Sequence, residues 1–482
     1  MILYYFSIVY LGVVMELLQK SVGAVNNLLW NFLLLFLLCG TGIFFTIKLK
    51  FVQIRKFRQG FKDTFGSIKF RGERADEKGM SSWQSLATAI AAQVGTGNLA
   101  GAATALIAGG PGAIFWMWVS AFFGMATIFV EASLSQKYKT KVDGQVIGGP
   151  AYYIQAAFKG ILGKVLAIIF SVLIVIALGF MGNMVQSNSI GDAFNIAFGI
   201  KPIYIGIAVS VLALIIFLGG VERIASVTEK IVPIMAIFYI LGAMIIVIVN
   251  LTKIPDAFRQ IFVGAFAPSA VTGGVIGITI QKSIRYGVAR GLFSNEAGMG
   301  STPHAHAIAK VDKPCDQGIV AMMGVFVDTF IMLTLTALVI IITGVLPKGY
   351  DGSFAGIGLT QAGFETVFGK FGSIFIAICL LFFAFSTIIG WYFFGETNIK
   401  FLFGKKAVKY YSVAVAIFVA IGSTLKVDFV WSLSDCFNGL MVIPNLLALL
   451  ALSGVIVKML KIYENGKQLN KIKNQIMSKF VD

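Results

Sequence analysis

Residues 84–101 read QSLATAIAAQVGTGNLAG, an otherwise apolar helical stretch interrupted at its centre by Gly95 and Gly97 on either side of Thr96, with Asn98 next. Glycine costs about 1 kcal/mol against alanine inside a helix, and a backbone group left unpaired in lipid costs several more. An unwound turn inside a membrane is stable only where it lines a cavity and meets ligands. Its freed N–H groups can hold a carboxylate, and its freed carbonyls can hold Na⁺. The alternative is a kink whose Thr96 and Asn98 bond neighbouring helices.

The rest of the chain places this stretch in a bilayer. Of 482 residues, 57% are apolar and 13% are charged, against about 25% charged in a soluble domain. Apolar runs of roughly 20 residues, each enough to cross about 30 Å of hydrocarbon as helix, fall at about 27–47, 83–106, 112–135, 161–186, 201–219, 230–250, 316–346, 368–395, 408–424 and 433–458. With the longer, glycine-rich stretch 262–303 they predict about eleven spans of an all-α polytopic membrane protein. A soluble enzyme, a disordered binder and a β-barrel, whose strands would alternate over about ten residues, are excluded. Between the first two spans, residues 48–80 form a basic connector with Phe51, Ile54, Phe57 and Phe61 at helical spacing, the pattern of a segment lying along the interface.

The net charge of +17 would suggest nucleic acid in a soluble protein, but its distribution has another cause. With the N-terminus outside, the loops on the inner side carry 29 of the 39 Lys and Arg and the outer segments seven, as the positive-inside rule requires. Nucleic acid therefore drops out as a partner, the lipid bilayer takes its place, and the C-terminus is expected in the cytoplasm. Cys39, Cys315, Cys379 and Cys436 are scattered, so no disulfide framework is implied. Residues 1–14 lack a basic n-region and an A-x-A-like site, which argues against a signal peptide. Met15, opening MELLQK, is a candidate initiator, and a short additional membrane contact is the alternative.

Without the 27–47 span, ten remain, divisible into two sets of five, and an odd number per set sends the second set in from the opposite side. Each set opens with a glycine-interrupted helix: 95–98 in the first, and Gly273, Gly274 and Gly277 in the second. Paired interruptions in inverted halves point to a secondary-transporter site at the midplane; the alternative is close helix packing at glycine. No GxSxG, HExxH or GxxxxGK[ST] occurs, and His304 and His306, two apart, make a poor zinc pair. An enzyme is not expected.

Residues 109–124 (GGPGAIFWMWVSAFFG) resemble, position by position, the signature of the sodium:alanine (alanine/glycine:cation) symporter family. GTGNLAG, GGPAYYI (148–154), GNMVQSNSI (182–190), ARGLFSNEAGMGS (289–301) and FSTIIGW (385–391) follow in the same order as that family's segments. The resemblance covers nearly all of 15–460. It implies a LeuT-type 5+5 inverted repeat with one additional N-terminal helix, and Na⁺-coupled symport of alanine or glycine into the cell across the plasma membrane, with Na⁺ as coupling ion and no other cofactor. The chain then divides into an N-terminal segment 1–26, an additional helix and connector 27–82, a first repeat 83–260, a second repeat 261–460 and a Lys-rich tail 461–482. Trp116 and Trp118 of the signature read as interfacial or packing aromatics.

Polar residues inside the spans supply the remaining candidates. Gln186, three residues after Asn183 on one helix face, bonds either another helix or the substrate, and the resemblance favours the substrate. Ser386 and Thr387 offer hydroxyls that either bond back to helical carbonyls or ligate Na⁺. LeuT-type proteins place a sodium site between this helix and the first broken one, which implies Ala92 and Val94 as its carbonyl partners. Thr387, and Trp391 one turn beyond it, would face the cavity lined by the glycines of 95–98 and 273–277, with Trp391 as the stop for the substrate's side chain. Arg285, Arg290, Glu296, Glu131 and Asp328 are charges in or near spans, expected in gating or structural pairs. Asp328 lies furthest from a loop and is the group an H⁺-coupled carrier would need. A passive channel is disfavoured by the paired broken helices.

Overall fold

Long apolar runs with internal hydrogen bonding satisfied can only be helices in a bilayer, and helices dominate the computed structural model, which describes residues 19–66, 79–142, 144–271, 279–346 and 356–478. Seven helices among them are long and apolar enough to cross a membrane: Gln19–Lys48, Gly112–Lys137, Ile161–Phe198, Gly220–Val249, Pro314–Thr343, Lys370–Phe403 and Asp428–Ala451. The pair Ser82–Gln93 and Gly97–Gly109, bent by 45° at the Gly95 region, makes an eighth. Pro202–Phe217 and Val408–Gly422 are apolar but shorter. Each run expected from the sequence coincides with a helix, although not every one reaches spanning length by itself.

The two sets of five are visible in the order of the helices. A broken helix, a long helix, the longest helix, a short one and another long one run through residues 82–249. The same order recurs through residues 280–451. The longest members are Ile161–Phe198, of 38 residues, and Lys370–Phe403, of 34. A short helix lies between the second and third members of each set, Pro150–Ala157 in one and Ile357–Phe368 in the other. In the first set a small antiparallel hairpin, Thr140–Val142 with Gln145–Ile147, precedes it. Lys370–Phe403 packs on both the first broken helix and Ile161–Phe198, which sets the third helix of the second set against the first set.

The second set is also interrupted within the described residues, at a place that the sequence reading did not name. Gly273, Gly274 and Gly277 lie outside the described residues, as does Met15. Among those described, the interruption separates Ile280–Asn295 from Pro303–Ala307. There Glu296 adopts a left-handed backbone (φ 56°), and Gly298 (φ 94°) and Gly300 (φ 79°) follow in conformations only glycine takes without strain. Glu131 makes this turn possible. Its Oε2 accepts from Gly298 N–H at 2.9 Å, and its Oε1 accepts from Gly300 N–H at 2.9 Å and Asn445 Nδ2 at 2.6 Å. Asn445 also donates to Gly298 O at 2.9 Å, and Tyr153 donates to Asn445 Oδ1 at 2.5 Å.

The basic connector forms two short helices, Val52–Arg55 and Phe57–Phe65. Phe51, Ile54 and Phe61 are exposed, as expected of an interfacial face. Phe57 instead turns inward, its ring 4.9 Å from that of Phe326.

Glu131→Ala would leave three buried donors without their acceptor, at about 1–3 kcal/mol each. In detergent it should lower the thermal midpoint by several degrees, with Glu131→Gln intermediate. An unchanged midpoint in Glu131→Ala would show that Glu131 does not hold the second turn.

Candidate functional site at the two helix breaks

At the first break the helical ladder ends with Val94 N–H donating to Ile90 O at 2.7 Å. Gly95 N–H, whose helical partner would be Ala91 O, donates instead to Asn98 Oδ1 at 3.0 Å. Thr96 N–H donates to Gln186 Oε1 at 3.1 Å, which releases the Ala92 carbonyl from its helical donor. The Ala91 carbonyl is taken by Thr387 Oγ1 at 2.9 Å. The same hydroxyl lies 3.0 Å from Phe383 O of its own helix, as Ser386 Oγ does at 2.9 Å. Both readings of these hydroxyls thus have an element in the structure: they bond back along their helix, and they face the broken end of Ser82–Gln93. Gly390 seats the two helices together, since a Cβ there would meet Ala92 Cβ at 3.0 Å.

Gly95, Thr96, Gln186 and Thr387 therefore meet. A Cβ on Gly95 would lie 2.4 Å from Thr387 Oγ1 and 3.1 Å from Gln186 Oε1, and one on Gly97 would lie 2.9 Å from Ser294 Cα. The glycines give way to approaching atoms on three other helices. Thr96 Oγ1 and Gln186 Nε2 are fully buried and have no hydrogen-bond partner within the protein. Buried polar atoms are nearly always paired, so these two mark where a polar ligand would complete the site. Asn183 Nδ2 donates to Gly179 O of its own helix at 3.1 Å, while its buried Oδ1 has no partner either.

Asn98 reaches the other way. Its Nδ2 donates to Asp328 Oδ1 at 2.7 Å and to Asp328 O at 3.1 Å. Asp328 Oδ1 also accepts from Ser294 Oγ at 2.9 Å, and Oδ2 accepts from Thr329 Oγ1 at 2.8 Å. Asn98, Ser294 and Thr329 are all neutral donors, and Asp328 is fully buried. Ser294 and Thr329 are neighbours of the breaks that sequence reasoning did not name, and Glu296 was expected only in a gating or structural pair. The available signal was the polar run Ser294-Asn295-Glu296 ahead of Gly298 and Gly300, which marks a helix end inside an apolar region.

Trp391 stands at the second break. Its Nε1 donates to Glu296 Oε1, while Ser301 Oγ donates to Glu296 Oε2 at 2.5 Å. Its ring packs edge-on to Phe293, centroids 5.6 Å apart, and leaves no space for a Cβ on Gly182, which would lie 2.5 Å away. The indole is fixed at its edge, at its face and at its N–H. Phe293 in turn packs on Trp431 at 4.7 Å. Next along the same helix face, Arg290 makes a bidentate pair with Asp435, at 3.0 and 2.5 Å, with its guanidinium 4.6 Å over the Trp431 ring. Trp116 and Trp118 are tied to Ala265 O at 3.2 Å and Thr334 Oγ1 at 2.8 Å, which fits packing.

Two sets of five helices, each opened by a broken one, with polar groups gathered between the breaks, define a secondary transporter of the LeuT type. The structure of MhsT in complex with L-phenylalanine matches with a TM-score of 0.56 over 81% of this chain and 99% of that one, at 12% identity, a likeness of fold alone. The chain belongs to the sodium:alanine symporter family, whose model matches residues 15–478. It is 43% identical to the sodium/alanine symporter AgcS of Methanococcus maripaludis, over 94% of this chain and 98% of that protein. It is 40% identical to the probable sodium/glutamine symporter GlnT of Bacillus subtilis, over 95% and 93%. The protein is thus a multi-pass, sodium-coupled amino-acid symporter and not an enzyme. The relatives carry different substrate names, so the size of the transported side chain is a matter for the pocket.

Overpacking a tight contact costs about 1–3 kcal/mol, so Gly95→Ala should reduce transport about tenfold with the protein still in the membrane. Gly97→Leu, driven against the Ser294 backbone, should abolish it. Uptake at the native rate by either well-inserted variant would remove the first break from the site.

Proposed function

We propose that the chain carries a small neutral amino acid, alanine or glycine, together with Na⁺ into the cell, through a site at the first helix break. The observation that carries this reading is the pair of unpartnered buried atoms, Thr96 Oγ1 and Gln186 Nε2, beside a backbone whose Gly95–Gly97 segment has left its helical ladder. The substrate's charged ends bind at Gly95, Thr96, Gly97 and Gln186. The Ala92 and Val94 carbonyls with the Ser386 and Thr387 hydroxyls form the oxygen-rich corner that suits Na⁺, a hard cation. Trp391, immobilised by Glu296 and Phe293, limits the side chain. One methylene in an apolar pocket discriminates by only about 1–3 kcal/mol, and a rigid ring excludes larger groups more strictly.

The distribution of Lys and Arg supports an N-terminus outside and a cytoplasmic C-terminus, and the family suits residence in the plasma membrane. One Na⁺ moving through about 100 mV gains roughly 2.3 kcal/mol. A tenfold Na⁺ gradient adds about 1.4 kcal/mol. Together they could concentrate a neutral substrate about 500-fold, with no nucleotide required. Asp328, held only by neutral donors, favours a second reading in which the coupling ion is H⁺.

The deciding experiment is uptake of labelled alanine into proteoliposomes with an inward Na⁺ gradient. Uptake should require Na⁺, and equal uptake in K⁺ medium would overturn the sodium reading. Uptake driven by a pH gradient without Na⁺, and lost in Asp328→Asn, would establish the proton alternative.

Two variants examine the assigned roles. A contact to a charged group is worth about 1.5–3 kcal/mol, so Thr387→Val should raise the Na⁺ needed for half-maximal uptake about tenfold or more. An unchanged Na⁺ dependence would assign the hydroxyl to helix packing. Trp391→Ala should weaken alanine uptake and admit valine, leucine and glutamine as competitors. Continued exclusion of leucine by a variant that still carries alanine would show that the wall lies elsewhere.

A further inference from the structure

The helix Gln19–Lys48 stands outside the two sets of five, yet it grips the helix that carries Asp435. Asn26 Nδ2 donates to Ser432 O at 2.8 Å and lies 3.2 Å from Ser432 Oγ. One turn further, Trp30 Nε1 donates to Asp435 O at 3.2 Å. Asn26 and Trp30 are four apart and their acceptors three apart, so each pair shares a helix face. Both donors are buried. Gly439 permits the approach: a Cβ there would meet Leu34 Cδ1 at 2.8 Å and Leu29 Cδ1 at 3.1 Å. The turn bearing Trp30, Leu29–Leu33, is widened into a π-helical one, a local distortion that often accompanies function.

The residue whose carbonyl Trp30 holds is the same one whose carboxylate holds Arg290. That pair is nearly buried, with side-chain exposures of 6% for Arg290 and 16% for Asp435. It sits one turn from Phe293, which packs on Trp391, and it forms part of the wall of an open cavity that Asn26 and Trp30 also line. The pair ties the helices Ile280–Asn295 and Val427–Ala451 together, so a separation of the two that opened this cavity toward Trp391 would break it. A bidentate Arg–carboxylate contact is strict in orientation. A small rotation of the Asp435 helix would cost it one of its two bonds.

We infer that Asn26 and Trp30 are positioning residues of this closure: by fixing the rotation of the Val427–Ala451 helix they hold the Asp435 carboxylate in register with Arg290. The additional N-terminal helix is then the fixed jamb against which the Arg290 helix closes. This rests on the reading of the Trp391 region as the path of the substrate.

The test compares Trp30→Phe, which keeps an aromatic ring and loses the N–H, with Asn26→Ala and with each variant combined with Asp435→Asn. The first readout is the rate at which labelled alanine leaves the purified protein in saturating Na⁺. The loss of one hydrogen bond should speed release about two- to tenfold in each single variant, and the increment should vanish in the Asp435→Asn background. Unchanged release in the single variants, or the same increment with and without Asp435, would overturn the proposal, since mere helix packing gives additive effects. The second readout, amide hydrogen exchange across residues 427–440, needs no substrate. Exchange should rise in Trp30→Phe and rise no further when Asp435→Asn is added; an equal rise in both backgrounds would also overturn it. If the native protein binds no alanine, the substrate reading fails, and the exchange result decides this proposal by itself.

Discussion

A backbone hydrogen bond given up inside a bilayer has to be made elsewhere, because lipid offers no water to replace it. Most polar features of this protein can be traced to that requirement. Each set of five opens with a helix that surrenders its ladder for a few residues, and side chains meet several of the surrendered groups. At the first break Asn98 and Gln186 accept from the Gly95 and Thr96 amides, and Thr387 donates to the Ala91 carbonyl. At the second, Glu131 accepts from Gly298 and Gly300.

Three fully buried acids divide this work. Glu131 satisfies backbone N–H groups, Glu296 fixes the Trp391 indole, and Asp328 ties Asn98 of the first break to Ser294 beside the second. Asp328 thereby joins the two halves at their centre. A carboxyl shared among donors from three helices is sensitive to their relative placement, since a hydrogen bond weakens steeply once its geometry degrades. Motion of either broken helix is therefore felt at the other.

Closure has the same economy. Phe293, Ser294 and Glu296 are close neighbours in sequence, yet they serve a ring stack, a carboxyl and an indole respectively. The Ile280–Asn295 helix thus carries both the Arg290 pair and the site contacts. A shift that breaks the pair also disturbs the floor beneath it, the coupling an alternating-access carrier needs between gate and binding site.

The sequence by itself determined the bilayer, through apolar runs of spanning length and the segregation of Lys and Arg. It also pointed to the first break, because Gly95 and Gly97 interrupt an apolar run beside Thr96 and Asn98, and it marked Gln186, Thr387 and Trp391 as polar or bulky exceptions in apolar helices. These signals are local and survive without the fold. The tertiary structure alone showed the turn at Gly298 and Gly300 to be a break in the second half, because it depends on Glu131, more than 160 residues away, which accepts from both amides. It decided as well that Trp391 leans on Glu296 and that Asp328 bonds Asn98. The partner of a buried polar group is set by which helices pack side by side, and local patterning carries no record of that choice.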